Sequence, residues 1–199
     1  MAATEQMDVA ILHPSITSQG GAEQVLWALA GGLDADVYAG YVDAAMVPDG
    51  ADVTALFGPH TARLSRLSHA SDDIIAMLSF QAVEPLLHYD VVIVTKLNAT
   101  WYVPAPGQRL LWYVHNVPKQ LYTHIDDAAG PLRMLGKVVK RQLYMPNLAY
   151  PDRFIANSES TARDITQYWG IPPACDGRPS DGDGPDRCHT HRHSRGVLP

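Results

Sequence analysis

Three segments of the sequence combine residue types that could bind an anion or move a proton. The first is Ser-Gln-Gly-Gly-Ala-Glu at residues 18–23, which follows an apolar run at 9–12. Glycines let the backbone turn tightly and approach a ligand closely, and the free amides at the start of a helix attract phosphate. Two interpretations follow for Gly20 and Gly21: they contact a phosphate-bearing ligand, or they form an ordinary turn between a strand and a helix.

The second segment is Trp-Tyr-Val-His-Asn at residues 112–116, where His115 follows the predicted strand 109–114. The carboxyl ends of strands in an open α/β sheet face the ligand-binding crevice. An imidazole at that place could transfer a proton or hold a hydroxyl group of a ligand. The alternative is a histidine that only bonds to a neighbouring loop.

The third segment is Ala-Asn-Ser-Glu-Ser-Thr-Ala-Arg at residues 156–163. Asn157 or Ser158 can accept hydrogen bonds from the free amides of the helix predicted at 158–169. Capping alone accounts for this pattern, and a ligand contact is the second interpretation. Ser158 is not predicted to be a nucleophile, because no Gly-x-Ser-x-Gly turn surrounds it.

The remaining polar clusters favour interpretations without catalysis. Residues 188–193, Cys-His-Thr-His-Arg-His, and Cys175 offer thiolate and imidazole ligands, but their spacing matches no standard zinc finger. We expect adventitious metal binding there and no resident metal. Asp72-Asp73 is interpreted as part of a helix N-terminus and Asp126-Asp127 as a solvated loop.

A predicted helix at 132–150 carries the basic residues Lys137, Lys140 and Arg141 among apolar ones. Such a helix could rest on an anionic membrane surface. The alternative is a helix whose basic face is simply solvated. Peripheral contact with a membrane is therefore one of the partners that the sequence suggests.

The three candidate segments are positioned by strands and helices, which the sequence predicts from apolar runs that alternate with helical patterns. The run 91–94, Val-Val-Ile-Val, is the clearest fully apolar strand, and such strands are typical of a parallel sheet covered on both faces. We predict a doubly wound, Rossmann-like α/β domain with a mostly parallel sheet and helices on both faces. The predicted strands are 9–12, 36–41, 53–57, 91–94, 109–114 and 154–156. The predicted helices are 22–30, 71–88, 132–150 and 158–169. We expect Gly31-Gly32 to close the first of these helices and Pro146 to break the third.

The end of the chain differs in composition from the rest. Residues 174–199 are rich in Gly, Pro, Asp, Arg and His and cannot bury enough apolar surface to fold alone. The change is abrupt after Pro173. We therefore divide the chain into a domain at 1–173 and a disordered tail at 174–199, and our hypothesis for the tail is a shift of the reading frame near codon 174.

Composition and charge narrow the class of protein. The 199 residues are 46% hydrophobic, with a formal net charge of −6 and no basic stripe, which argues against a nucleic-acid partner. No apolar run approaches the roughly 18 residues of a membrane span, and the N-terminus has no signal-peptide pattern. Both cysteines lie in the tail, so the sequence predicts a cytoplasmic protein, which the basic helix could hold at the inner face of the membrane.

Together the three segments resemble the N-terminal domain of family 4 glycosyltransferases, which have the GT-B architecture. That family has Gly-Gly-Ala-Glu after its first strand, a strand that ends in Tyr-x-His, and Ala-Asn-Ser-x-x-Thr followed by Gly-Ile-Pro. The matching residues here are 20–23, 113–115, 156–161 and 170–172. The resemblance covers about 7–173. A nicotinamide-dependent dehydrogenase is not predicted, because no Gly-x-Gly-x-x-Gly follows a strand.

The resemblance implies transfer of a hexose from a nucleotide diphosphate sugar to a lipid, glycan or small-molecule acceptor. It implies retention of configuration and no cofactor or metal. By resemblance, Gly20 and Gly21 line the cleft near the donor diphosphate, and His115 is the catalytic residue that contacts the transferred sugar or stabilises charge beside it. The ligand-binding candidates are Gly20, Gly21, Glu23, Asn116, Asn157 and Ser158, of which the last two would shape the floor of the cleft.

The sequence departs from the family after Pro173. There the family continues into a second Rossmann-like domain with a Glu-x7-Glu segment for the donor, and residues 174–199 contain no Glu. We therefore expect a chain truncated before the donor-binding domain and inactive alone, because neutralising the phosphates assists departure of the nucleotide. One alternative is the acceptor-side subunit of a split glycosyltransferase, whose partner chain contacts 158–173. Another is a non-catalytic ligand-binding α/β module.

Overall fold

The computed structural model describes residues 7–58, 60–61, 64, 69–81, 83–122 and 130–172, and six of its segments form one sheet. The strands are β1 (Val9–Ile16), β2 (Asp36–Val42), β3 (Thr54–Ala55), β4 (Val91–Thr95), β5 (Arg109–Val114) and β6 (Arg153–Ala156). Their order across the sheet is β3-β2-β1-β4-β5-β6, and every neighbouring pair is parallel. This confirms the predicted Rossmann-like α/β class.

Four α-helices of the described residues join these strands: α1 (Gly21–Leu33), α2 (His69–Phe80), α3 (Pro131–Tyr144) and α4 (Glu159–Asp164). A π-helical turn, Ile165–Trp169, continues α4. Short 3-10 turns lie at 44–46, 84–86, 97–101, 119–121 and 145–149. Among these described helices, none has the length and apolar character needed to cross a lipid bilayer.

Strand β1 lies where the winding of the chain reverses. It pairs with β2 on one side and with β4 on the other, so that Leu12 has Tyr38 and Val94 as neighbours. From β1 the chain winds outward through β2 and β3, and it then crosses to β4 and winds in the opposite direction. Open α/β sheets bind ligands in the crevice at the carboxyl edge of such a point. The residues that follow β1 and β4 are therefore the ones placed for a site.

Both faces of the sheet carry a core, which explains why β4 is apolar at nearly every position. All five residues of β4 are buried. On one face, Phe80, Tyr144 and Trp169 pack in a cluster with Trp112 of β5, whose ring stacks on that of Trp169 with centroids 4.7 Å apart. On the other face, Leu26 of α1 packs against alternate residues of β1, β2 and β4. A strand buried on both faces cannot show the alternation that a half-exposed strand would.

Strand β1 is longer than predicted. The sequence predicts its end at Leu12, but His13 and Ser15 continue to pair with β2, so the strand runs to Ile16. The pairing with β4 does stop at Leu12. Pro14 therefore lies where β1 has one neighbouring strand, a position that proline tolerates because no ladder on the other side needs its missing N–H.

The glycine pair does not end α1 as predicted. The helix continues to Leu33 and ends at Asp34, which adopts a left-handed conformation with φ 51°. The Asp34 amide donates to the Ala30 carbonyl, so the cap satisfies one of the last free carbonyls. Aspartate is among the few residues other than glycine that enter this conformation readily. Packing of the helix outweighs the cost of about 1 kcal/mol for each internal glycine.

The helix predicted at 71–88 is wrong in its second half. Helix α2 ends at Phe80, and a separate 3-10 turn at 84–86 has Pro85 in its first turn and buries Leu86. Proline cannot donate to the preceding helical turn and clashes with it. The break predicted at Pro146 is confirmed, because α3 gives way to a 3-10 turn at Met145–Ala149.

Two further predicted elements hold with small changes. The strand predicted at 53–57 is a ladder of two residues, although the amides of Leu56 and Phe57 still donate to carbonyls of β2. The helix predicted at 158–169 is confirmed as α4 with its π-helical turn. It ends at Gly170, whose φ of 69° is favourable for a residue without a Cβ atom.

Candidate functional site

His13 is fully buried in the last part of β1 and is a site residue that the sequence did not reveal. Its Nδ1 lies 2.6 Å from the Thr95 hydroxyl, which in turn donates to the Leu12 carbonyl at 3.3 Å. Its Nε2 lies 3.5 Å from Glu23 Oε1. Burial, and then the Lys96 ammonium, lower the pKa of His13 to about 4 against the opposing effect of Glu23. The imidazole is therefore neutral at physiological pH.

Glu23 lies in the first turn of α1 and is 5% exposed. Its Oε2 accepts a hydrogen bond from the Gly20 amide at 3.0 Å, and its Oε1 lies 2.5 Å from Lys96 Nζ. Burial alone would raise the pKa of Glu23, but the hydrogen bonds from Lys96 and the backbone outweigh burial and lower that pKa. Glu23 is thus an ionised carboxylate that both caps α1 and binds Lys96.

The Glu23 carboxylate lies close to the backbone of Gly20, so a larger residue at position 20 would make that carboxylate shift. A Cβ atom at position 20 would lie 2.9 Å from Glu23 Oε2, closer than real contacts of that kind. At Gly21 an added Cβ would meet nothing within 4 Å. The two glycines therefore differ: Gly20 makes room inside the protein, whereas Gly21 leaves open space in front of the helix N-terminus, where a ligand could approach the backbone.

Lys96 follows β4 in a backbone conformation that non-glycine residues rarely adopt. Its φ is 59° and its ψ is 159°, a combination that costs about 1–3 kcal/mol. The side chain is 35% exposed and binds Glu23. Such strain persists only when surrounding contacts hold it, and it clusters at functional sites. Lys96 therefore joins the candidate site, although no motif in the sequence pointed to it.

His115 follows β5, as predicted, and is half-buried. Within the part of the chain that the structure describes, its Nε2 has no hydrogen-bond partner although it is buried. Burial, and then the Lys96 ammonium, lower the pKa of His115, with Glu23 opposing them. A neutral imidazole nitrogen without a partner costs about 1–3 kcal/mol, a cost that a bound hydroxyl or amide group would remove.

Ser158 caps α4, and Asn157 lies beside it, bonded to the same threonine. Ser158 is the N-cap of α4, and its Oγ accepts from the Thr161 amide at 3.2 Å. The Thr161 hydroxyl lies 2.7 Å from Asn157 Oδ1 and 3.4 Å from the His115 carbonyl. The cap therefore holds the turn between β6 and α4 against the backbone that carries His115. The capping interpretation accounts for Ser158, whereas Asn157 accepts from the Thr161 hydroxyl, a partner that sequence reasoning missed.

The remaining predicted residues have simpler surroundings. Asn116 is exposed beside His115. Asp72 lies in the first turn of α2, as the interpretation of a helix N-terminus predicts. Both aspartates also make tertiary contacts: Asp72 accepts from Asn98 at 3.0 Å and Asp73 pairs with Lys140 at 2.6 Å. The described residues contain no group of three metal-ligating side chains. Residues 174–199, with the cysteines and histidines discussed above, and Asp126-Asp127 lie outside the described residues.

His13, Glu23, Lys96 and His115 form one group, the edge cluster, at the carboxyl ends of β1, β4 and β5. The Lys96 charge acts on both histidines, and each histidine also responds to Glu23. With both imidazoles neutral, the charges of Glu23 and Lys96 balance. The cluster can hold a hydroxyl group through an imidazole nitrogen and an anion through the ammonium and the amides that begin α1. Its members come from three separate parts of the sequence, which is why spacing alone predicted only some of them.

The model of the family described as Glycosyltransferase Family 4 matches residues 19–175. The match begins in the loop before α1 and runs through α4, so it includes Glu23, Lys96 and His115, while His13 precedes it. No curated protein matches the sequence significantly.

Proposed function

Since the chain belongs to glycosyltransferase family 4, we propose that its α/β domain takes part in transferring a sugar from a nucleotide diphosphate sugar to a hydroxyl group of a lipid, glycan or small-molecule acceptor. The edge cluster is the proposed reaction centre. The observation that carries this proposal is its position, at the carboxyl edge of the sheet where the winding of the chain reverses.

The start of α1 and Lys96 would act on the donor diphosphate. The departing nucleotide gains negative charge as its bond to the sugar breaks, and prearranged donors that face this charge accelerate the step. Helix α1 has 13 residues and presents free amides beside the open space at Gly21. Lys96 adds an ammonium group with three N–H donors, one of which is engaged by Glu23.

His115 would act on the sugar. Its buried, neutral Nε2 can exchange a hydrogen bond with a hydroxyl group of the transferred sugar, or stabilise charge beside the reacting carbon. The cap of α4 supports this role, because Thr161 holds the His115 carbonyl. His13 would not touch the sugar in this scheme: it fixes Thr95 and stays uncharged beside Glu23.

Transfer would also need a second, donor-binding domain. The cation of the edge cluster is paired with Glu23, so this domain alone supplies little net charge to balance a diphosphate. We propose that the second domain comes from further polypeptide or from a separate chain, and that it contacts the region from 158 to 173. Sequencing the gene through codon 174 and translating all three frames would show whether further polypeptide supplies that domain.

Binding of inorganic pyrophosphate, followed by amide NMR, tests the diphosphate part of the proposal. We expect saturable shifts of the amides of Gly20, Gly21 and Ala22, and a dissociation constant about tenfold higher in Lys96→Met, which corresponds to about 1.4 kcal/mol. Lys119→Met is the matched control, because Lys119 is exposed and pairs with Asp164. Shifts elsewhere on the domain, or equal weakening by both substitutions, would contradict the proposal.

Binding of sugars tests the role of His115. The same titration with hexose 1-phosphates should shift the His115 ring resonances, and His115→Ala should weaken hexose 1-phosphate binding while leaving the pyrophosphate affinity unchanged. His88→Ala is the control, because His88 is exposed outside the cluster. If His115→Ala lowers both affinities equally, the histidine acts through the fold rather than on the sugar.

A further inference from the structure

His115 lies on a segment that begins where the sheet stops pairing. The ladder between β5 and β6 ends at Val114, whose carbonyl accepts from the Asn157 amide at 3.4 Å. From His115 to Tyr122 the regular structure is one short 3-10 turn at 119–121. We call residues 115–122 the histidine segment. A functional side chain on such a segment keeps its orientation only through the contacts of neighbouring residues.

Helix α4 and its π-helical turn contact the histidine segment at three positions along its length. These polar contacts are Thr161 Oγ1 to the His115 carbonyl at 3.4 Å, Asp164 to Lys119 Nζ at 2.8 Å, and Trp169 Nε1 to the Tyr122 hydroxyl at 2.8 Å. The order of the three residues along the helix is the order of their partners along the segment. Helix and segment therefore lie side by side.

The π-helical turn Ile165–Trp169 brings Trp169 into line with Thr161. In a regular α-helix a residue eight positions later would lie about 80° away around the axis. The hydrogen bonds of a π-helical turn span five residues instead of four, so each residue adds less rotation and Trp169 moves back toward the face of Thr161. Turns of this kind are frequent at functional sites. Here the turn lets a core indole reach Tyr122.

The contacts differ in how firmly they can hold the segment. Trp169 is 9% exposed, and its ring stacks on Trp112 of β5. The Lys119 side chain is 51% exposed, so water screens its ion pair with Asp164 and that pair contributes little. The hydrogen bond between Trp169 and Tyr122 is therefore the contact that ties the histidine segment to the core.

We propose that Thr161, Trp169 and Tyr122 are positioning residues for His115: they clamp both ends of the histidine segment and so fix the direction of the imidazole. The proposal rests on the proposed function, in which His115 acts on the transferred sugar. A side chain that is oriented before the sugar arrives costs less free energy to order on binding. The clamp therefore favours binding of the sugar and leaves binding of the diphosphate unchanged.

NMR of the histidine rings in the full chain tests the proposal with Tyr122→Phe, which removes a hydroxyl and keeps the aromatic ring. We expect the His115 ring resonances of the free protein to move, and the dissociation constant of glucose 1-phosphate to rise about threefold. Pyrophosphate affinity should stay the same. Thr161→Val, which replaces a hydroxyl by a methyl group of similar size, should have the same effects.

The matched control is Tyr38→Phe. Tyr38 is also half-buried, and its hydroxyl lies 2.9 Å from that of Tyr89, on the other side of β1. This substitution removes a similar hydrogen bond away from the histidine segment, so it should leave the His115 ring resonances and the affinity for glucose 1-phosphate unchanged. Circular dichroism of each variant establishes that it is folded before the comparison.

The proposal is overturned if Tyr122→Phe and Thr161→Val leave the His115 ring resonances unchanged, or if Tyr38→Phe moves them as much. It is also overturned if the clamp variants weaken pyrophosphate binding as much as glucose 1-phosphate binding, because they would then act through the whole fold. Failure of the proposed function has a different signature. Glucose 1-phosphate would then not shift the His115 ring of the wild type, while the ring resonances of the free variants would still move.

Discussion

The ammonium of Lys96 lies 2.5 Å from Oε1 of Glu23, a residue 73 positions earlier in the chain. This ion pair joins the residue after β4 to the first turn of α1, across the point where the winding of the sheet reverses. Glu23 is almost fully buried and Lys96 is about one third exposed, so the pair is only partly screened by solvent. It also holds Lys96 in a backbone conformation that glycine would adopt more easily.

Backbone strain at Lys96 is measurable once the ion pair has been removed. In a Glu23→Gln background, we expect Lys96→Gly to be more stable than Lys96→Met by about 1 kcal/mol, since relief of about 1–3 kcal/mol of strain is offset by the greater freedom of unfolded glycine. Urea denaturation of the two double variants gives the difference. A Lys96→Met double variant as stable as its glycine counterpart would show that the backbone there is not strained.

Alanine substitutions at the two adjacent glycines should separate stability from ligand binding. Gly20→Ala should lower the free energy of unfolding by about 1 kcal/mol, because its Cβ would displace the Glu23 carboxylate and break a hydrogen bond. Gly21→Ala should raise that free energy by about 0.4–1 kcal/mol, because its Cβ meets no atom and the unfolded chain loses freedom.

The same two variants test the role of the helix N-terminus. Gly21→Ala should weaken pyrophosphate binding although it stabilises the fold, since the added methyl group occupies the space before the α1 amides. Thermal melting and amide NMR on both variants supply the two readouts. Unchanged pyrophosphate affinity in Gly21→Ala would place the phosphate contact elsewhere.

Stability should depend on pH through His13. Its pKa is about 4 in the folded protein and 6.5 ordinarily, so the unfolded chain binds more protons between these values. The contribution of His13 to the free energy of unfolding is therefore fully present above pH 6.5. It is lost as the pH drops toward 4, by up to about 1.4 kcal/mol per pH unit. His115, whose pKa is also lowered, adds to the same trend.

Subtracting the pH profile of a His13→Gln variant isolates the contribution of His13. The difference between the wild-type and His13→Gln unfolding free energies, measured by urea denaturation from pH 7 to pH 4, should change most below pH 6.5. His88→Gln, at an exposed histidine, should parallel the wild type. Parallel profiles for wild type and His13→Gln would mean that His13 takes up its proton in the folded state as readily as in the unfolded chain.

The cap of α4 should contribute about 1 kcal/mol to stability. Ser158→Ala removes the oxygen that accepts from the Thr161 amide, a loss that typically costs about 0.5–2 kcal/mol. Ser160→Ala is the matched control, because Ser160 is exposed on the first turn and should change stability by less than about 0.5 kcal/mol. Equal effects in urea denaturation would argue that the serine cap does not hold the helix.

Local patterns predicted those parts of the fold that depend on nearby residues. The apolar run at 91–94 required a strand buried on both faces, and the glycine at 170 marked the end of the helix that follows β6. Boundaries failed where packing outweighed a local signal, as at Gly31-Gly32, or where a neighbouring strand extended the pairing, as at His13. His115, Gly20 and Glu23 were predicted as candidates because each belongs to a compact motif beside a strand end.

The sequence by itself determined an α/β domain with a parallel sheet, and the family resemblance that the comparison confirms, because both rest on short-range periodicity and on contiguous motifs. Tertiary structure alone decided that His13 is a buried member of the site and that α4 lies along the segment that carries His115. His13 meets Thr95 across 82 residues, and Trp169 meets Tyr122 across 47. Contacts over such separations exist only after the sheet has assembled, so no local pattern encodes them.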